Sequence, residues 1–206
     1  MYFCVLTADI HQSRLVANRM ELQEKIEAQL QTVNQTFANF IKVPFTITLG
    51  DEWQGIVQDL PAAYEIAAHF IEKFHPVRLA IGIGEGKIET AWRERSSEMD
   101  GEAFHRSRNA LEEARQKNRT IRFATSHSNE DILLNAIIFL LQIQREGWTE
   151  KQFQKFCVYK EFRNTIKTAK IIGVSQSDIH QTLTAIRADS YLEAEKDLTE
   201  YLKIIS

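Results

Sequence analysis

The period of hydrophobic and polar positions changes several times along the chain, and each change predicts an element. Tyr2 to Ala8 is almost wholly apolar, which predicts a strand covered on both faces. A polar loop follows from Asp9 to Arg14. Leu22, Ile26, Leu30, Val33, Phe37 and Phe40 then recur at three- and four-residue steps, the spacing that keeps one face of a helix apolar. Val43 to Leu49 alternates and predicts a second strand. Trp53 to Val57 predicts a third, joined to it through a Gly50-Asp51-Glu52 hairpin turn. Pro61 opens another helix, whose inner face carries Ala63, Ile66, Ala67, Phe70, Ile71 and Phe74. Val77 to Ile83 is the next strand. Ala103 to Lys117 is helical, with Ala103, Ser107, Leu111 and Ala114 on one side, and Thr120 to Ala124 is a last strand.

This order is β-α-β-β-α-β with one more helix and strand. A hairpin inside two crossovers is the ferredoxin-like pattern, with helices stacked on one face of the sheet. Beyond Ser128 the strand signals stop. Asp131 to Arg145 is a helix ended by Gly147, and Thr149 with Gln152 forms a capping box that opens another. Thr165 to Gly173 and Ser175 to Arg187 complete an all-helical part. The expectation is an α+β chain: a ferredoxin-like domain over residues 1–127, then an all-α domain over 128–206 with a helix-turn-helix at 165–187.

Composition narrows the classes. With 206 residues, 44% hydrophobic and 26% charged, the chain reads as an ordinary soluble globular protein. A net charge of −3 excludes a protein that coats nucleic acid non-specifically. Basic residues nevertheless gather between Lys151 and Lys170, with Glu161 the single acid among them. The apolar runs at the N-terminus and at Ile132 to Ile143 are too short to span a bilayer. No membrane partner and a cytoplasmic location are therefore expected, with Cys4 and Cys157 as free thiols. The six histidines show no zinc spacing. Gly82, Gly84 and Gly86 open no nearby helix, so they read as strand glycines that permit close packing.

The candidate chemistry lies in acids at strand ends. Asp9 ends the first strand, Asp51 sits in the hairpin, and a ferredoxin-like sheet sets those two strands side by side. Two carboxylates with room for water suit Mg²⁺, which keeps several waters and binds substrate phosphates. Two such ions can clamp phosphoryl transfer. The loop holding Ser13 and Arg14, just before a helix N-terminus, suits a phosphate. Spacing alone equally allows Asp9 as a helix cap and Asp51 as a tight turn with Gly50. Glu52 reads as a surface acid of the hairpin.

LTADIHQSR, ITLGDEWQG and VRLAIGIGEG resemble three signatures of the class III nucleotide cyclases, and the palm domains of diguanylate cyclases are similar in outline. The resemblance implies a purine nucleotide, Mg²⁺ or Mn²⁺ held by Asp9, Asp51 and the carbonyl of Ile10, and a homodimer. Asp9, Asp51 and Arg108 would be the catalytic residues of an enzyme, with Ser13, Arg14 and Arg108 on the phosphates. The chain departs from the cyclases where they carry Asn and Arg four residues apart. Here His105 and Arg108 are three apart, which puts cyclisation in doubt more than binding. The whole chain resembles still more closely the SatD family of bacterial proteins. The shared motifs are Ala8-Asp9-Ile10-His11-Gln12-Ser13-Arg14, Gly50-Asp51-Glu52-Trp53-Gln54-Gly55 and Met99-Asp100-Gly101-Glu102-Ala103-Phe104. That family is linked loosely to stress and acid tolerance.

Residues 167–183 resemble the helix-turn-helix of phage repressors and sigma-factor-like proteins. Ala169 is small where the helices cross, Gly173 permits a left-handed turn, and Ser175 with Asp178 caps the second helix. Val174, Ile179 and Leu183 would hold that helix against the first. On duplex DNA, Gln176 and Gln181 would read adenine, with Ser177 and His180 adding contacts. Thr165, Lys167, Lys170 and Arg187 would hold phosphates, and Ser175 joins the DNA-binding residues. The leading expectation is a DNA-binding regulator with a nucleotide- and metal-binding domain. The alternatives are an active cyclase or nucleotidyltransferase with a helical docking module, and a structural interaction protein without ligand.

Overall fold

The computed structural model describes residues 1–11 and 18–206. Its strands are β1 (Phe3–Ile10), β2 (Ile41–Leu49), β3 (Glu52–Val57), β4 (Leu79–Gly86) and β5 (Ile121–Ala124). They form a five-stranded sheet in the order β2-β3-β1-β4-β5. Every neighbouring pair is antiparallel except β4 and β5, which run parallel. The first four strands thus have the ferredoxin-like order, and β5 extends it by one crossover. β1 is central and buried on both faces, from Cys4 to Ala8, as its unbroken apolar run predicts.

The two faces of the sheet are covered differently. Helices α1 (Arg19–Thr36) and α2 (Leu60–Phe74) lie together on one, where Lys25 sits over the ring of Phe74 and Phe37 meets His69 edge-on. Beneath them Trp53 stacks on Phe74 and meets Phe70 edge-on, all three fully buried. Burial of such side chains contributes about 1.5–3 kcal/mol each. Helix α3 (Glu102–Gln116) covers the opposite face, so the stacking on one face expected of this fold holds for α1 and α2 alone.

The glycines of β4 allow α3 to lie directly on the strand. A Cβ at Gly84 would come within 2.1 Å of the Ser107 nitrogen, and one at Gly82 within 2.2 Å of the Ser107 carbonyl oxygen. Only glycine fits such an approach. At the sheet's other side, β2 is an edge strand interrupted by register shifts and by Pro44, where proline costs no ladder bond. The side-chain amide of Asn34 on α1 donates to the Phe45 carbonyl (2.9 Å) and accepts from the Phe45 N–H (2.8 Å).

Two compact units divide the chain: Met1–Phe139 with Leu202–Ser206, and Leu140–Tyr201. The helices after β5 are α4 (Ser128–Glu146), α5 (Glu150–Phe162), α6 (Thr165–Ile172), α7 (Gln176–Ala185) and α8 (Ala188–Ile205). In the second unit Trp148, Phe156 and Tyr191 pack ring against ring, with centroids 4.6–5.3 Å apart. The capping box of Thr149 and Gln152 is formed. Neither Cys4 nor Cys157 forms a disulfide. Among the described residues no helix is long and apolar enough to cross a membrane.

Three expectations need correction. Helix α1 ends at Thr36, so Phe40 falls beyond it and is exposed rather than on its inner face. Val174 directly follows the left-handed Gly173 and is turned outward, leaving Ile179 and Leu183 to bury α7. Helix α8, which buries Ala188, Tyr191, Leu198 and Leu202, extends well past the elements the sequence predicts.

Candidate metal and phosphate site

Side chains alternate along a strand, so Val5, Thr7 and Asp9 of β1 share one face with Ile56, Gln54 and Glu52 of β3. That face lies under α3 and changes from apolar to ionic over a few residues. At one end Val5 and Ile56 pack with Val43, Met99, Ala103 and Phe104. In the middle is a buried polar relay. The Gln54 amide donates to the Thr7 hydroxyl (2.8 Å), Thr7 and Ser107 bond through their hydroxyls (2.7 Å), and Ser107 donates to the Gly82 carbonyl (3.0 Å). Because Ser107 spends its proton on Gly82, Thr7 is the donor to Ser107.

At the far end charged groups take over. Arg115 of α3 pairs with Asp9 and lies 3.9 Å from Glu52. Arg108, two helical turns earlier, reaches Glu52 at 2.6 Å. Glu52 is 5% exposed and also accepts from the Thr48 hydroxyl at 2.9 Å. It is therefore a buried partner of both arginines, not the surface acid its hairpin position suggests.

Asp51 sits beside Gly50, whose φ of 62° makes the turn. Its carboxyl lies close enough to that of Asp9 to raise the Asp9 pKa. Two ionised carboxylates have no donor between them, so their nearness favours a proton or a cation beside them. Burial first, and the neighbouring Asp51 carboxyl second, push the Asp9 carboxyl up to about 6, while Arg115 pulls the other way. Among the described residues the Asp51 Oδ2 atom is buried without a hydrogen-bond partner. Asp51 also lines a cavity of about 160 Å³ with Gly50 and, from α1, Arg19, Leu22, Gln23 and Ile26.

This donor set fits a hard dication. Among the described residues no three His, Cys, Asp or Glu side chains converge, so an ion here would rest on Asp9 and Asp51 and keep waters. Ile10 has an aliphatic side chain, so its carbonyl is the one group it could offer. Ser13 and Arg14 lie outside the described residues. Sequence reasoning missed Arg115 and Arg19. The signal for Arg115 is its seven-residue spacing from Arg108, which keeps both on one side of α3. That for Arg19 is its place as the first residue of α1. His105 lies at the other end of α3, 3.4 Å from Asp100.

The helix-turn-helix residues are partly engaged within their own unit. Gln176 donates to the Thr165 hydroxyl at 3.1 Å, so it is turned onto α6 rather than outward to a base. Ser175 caps α7 by accepting from the Asp178 N–H. Lys167 lies 3.5 Å over the ring of Phe162. Lys155 of the basic segment is 13% exposed and binds Asp178 at 2.7 Å, and Lys160 meets Glu195 at 2.9 Å. Lys170, Ser177, His180, Gln181 and Arg187 are exposed. Ser177, His180, Gln181 and Thr184 form one row opposite the buried Ile179 and Leu183.

Solved structures similar to this chain include three nucleotide cyclase domains. The non-canonical dimeric guanylyl cyclase domain of the RhoGC fusion protein from the aquatic fungus Blastocladiella emersonii is 14% identical with a TM-score of 0.44, covering 54% of this chain and 73% of that one. The catalytic core of a rhodopsin-guanylyl cyclase with converted specificity, in complex with ATPαS, is 15% identical with a TM-score of 0.41, over 54% and 71%. A bacterial light-regulated adenylyl cyclase is 16% identical with a TM-score of 0.44, over 59% and 74%. A search of curated proteins finds no match. The sequence profile of the SatD family matches residues 2–202 of the 206, and the chain belongs to that family.

Proposed function

We propose that this protein is a DNA-binding regulator whose α/β unit binds a divalent cation, Mg²⁺ or Mn²⁺, together with a purine nucleotide. The observation that carries the first half is the Asp51 Oδ2 atom, buried and without a hydrogen-bond partner among the described residues, beside the Asp9 carboxyl. A buried acceptor without a donor is costly, and a cation bridging the pair removes that cost. Asp9 and Asp51 would hold the ion with the Ile10 carbonyl. Bound there, it would supply a positive centre for phosphate oxygens, and Arg19 stands beside the same cavity. The nucleotide itself rests on the resemblance of these segments to class III cyclases.

Binding is favoured over turnover by the disposition of Arg108. Its guanidinium is committed to Glu52, and His105 is two-thirds of α3 away from the acids, against Asp100. The exposed row on α7, flanked by Lys170 and Arg187, supports docking in a DNA groove, with base contacts from Ser177, His180 and Gln181. A homodimer is the assembly the cyclase resemblance implies.

Calorimetry with ATP and GTP in Mg²⁺, on wild type and Asp9→Asn, tests the first half, with product analysis of the same samples. Binding that disappears in Asp9→Asn is the expected result. A cyclic or linked product would replace the regulator with an enzyme, and no binding to wild type would overturn the site. For the second half, selection from random duplexes at low salt should enrich one sequence, and Gln181→Ala should relax it. Enrichment of nothing over competitor would remove the DNA assignment.

A further inference from the structure

The cluster at the end of α3 contains a cation of its own. Asp9 is paired with Arg115, whose side chain is 35% exposed and also lies 3.9 Å from Glu52. Glu52 is already held by Arg108 and Thr48. Arg115 therefore stands between two nearly buried acids, one firmly satisfied elsewhere and one that belongs to the proposed metal pair. We infer that Arg115 is the resident counter-ion of the Asp9–Asp51 pair, a specificity-determining residue that a divalent cation must displace from Asp9 and that a monovalent cation cannot.

The argument is one of charge. A guanidinium contributes one positive charge to Asp9 through a directional bond and leaves Asp51 Oδ2 without a partner. A dication between the carboxylates neutralises both at once, so it outcompetes the arginine. An ion of charge +1 replaces like with like and gains nothing over a bond already made. The displaced guanidinium has a place to go: Glu52 is within 3.9 Å, and rotation about the long side chain closes that gap. Arg108 shares Glu52 but does not pair with Asp9, so it takes no direct part in the exchange.

This inference rests on the metal reading given above, and one experiment separates the two. Mn²⁺ alone is titrated into the full chain, and free ion is followed by its electron paramagnetic resonance signal, with K⁺ as the monovalent control. Arg115→Gln should bind Mn²⁺ about tenfold more tightly than wild type, as expected when one cation is removed from beside a carboxylate. Arg115→Lys keeps the charge and should stay near wild type. Asp9→Asn in the Arg115→Gln background should abolish the gain, and K⁺ should not compete. Arg108→Gln should move affinity less than Arg115→Gln. Equal or weaker binding by Arg115→Gln, with normal binding by wild type, would mean the arginine only props up Asp9 and would overturn the inference alone. No Mn²⁺ bound by wild type or any variant would overturn the metal reading and the inference with it. Far-ultraviolet circular dichroism of each variant confirms that the fold compared is the same.

Discussion

Beneath α3 the same two strands build a closed end and an open one. Around Val5 and Ile56 the space is filled by Met99, Ala103 and Phe104, and the helix backbone rests on Gly82 and Gly84 of β4. Four residues along β1, Asp9 stands between an arginine and a neighbouring acid, Arg115 and Asp51. Between them, the Thr7–Gln54–Ser107 relay satisfies each buried hydroxyl and separates oily packing from charge. The closed end fixes where α3 lies. Its packing carries two arginines to the strand ends, so the apolar half of this face positions the charged half.

That contrast can be broken at the closed end first. Gly84→Val forces a side chain into the backbone of α3 and should cost about 3 kcal/mol or more, read from the midpoint of urea unfolding. At the boundary, Thr7→Val keeps the shape but strips the hydroxyl, leaving the Gln54 amide and Ser107 oxygen each short of a bond. A loss of about 1–3 kcal/mol is expected by the same measurement.

The smallest effect, and of opposite sign, belongs to the open end. Asp9 binds its proton more tightly folded than unfolded, with the folded value near 6. Its contribution to stability is therefore complete below about pH 4 and lost as pH rises through about 6. Asp9→Asn should flatten that slope and leave the chain roughly 1 kcal/mol more stable than wild type at pH 7, measured by urea midpoints from pH 4 to 8. A wild-type curve that rises across this window would show that Arg115 outweighs burial.

Much of this was legible in the residues. Periodicity placed the strands and the first three helices, and the β-α-β-β-α-β order brought the strand holding Asp9 beside the hairpin holding Asp51. Strand glycines at alternating positions announced a close helix. What stayed hidden depends on distances that no local pattern encodes. Glu52 looks like a turn acid until α3 is seen to overhang it. Arg115 is one of many helix bases until helix pitch sets it over β1. Gln176 has the spacing of a base reader, yet its amide finds the Thr165 hydroxyl first. The end of α1 was misplaced because Phe37 and Phe40 continue the apolar period after the backbone has turned.

Asn34 has a consequence for how the molecule behaves among its own copies. The N–H and C=O of Phe45 are those a stray strand would seek along the rim of β2, and the Asn34 amide already occupies both. Pro44 offers no N–H beside them, and the register shifts bend the strand away from a flat template. The middle of that edge therefore offers few ladder groups to another strand, which disfavours zippering there between newly made copies of this chain.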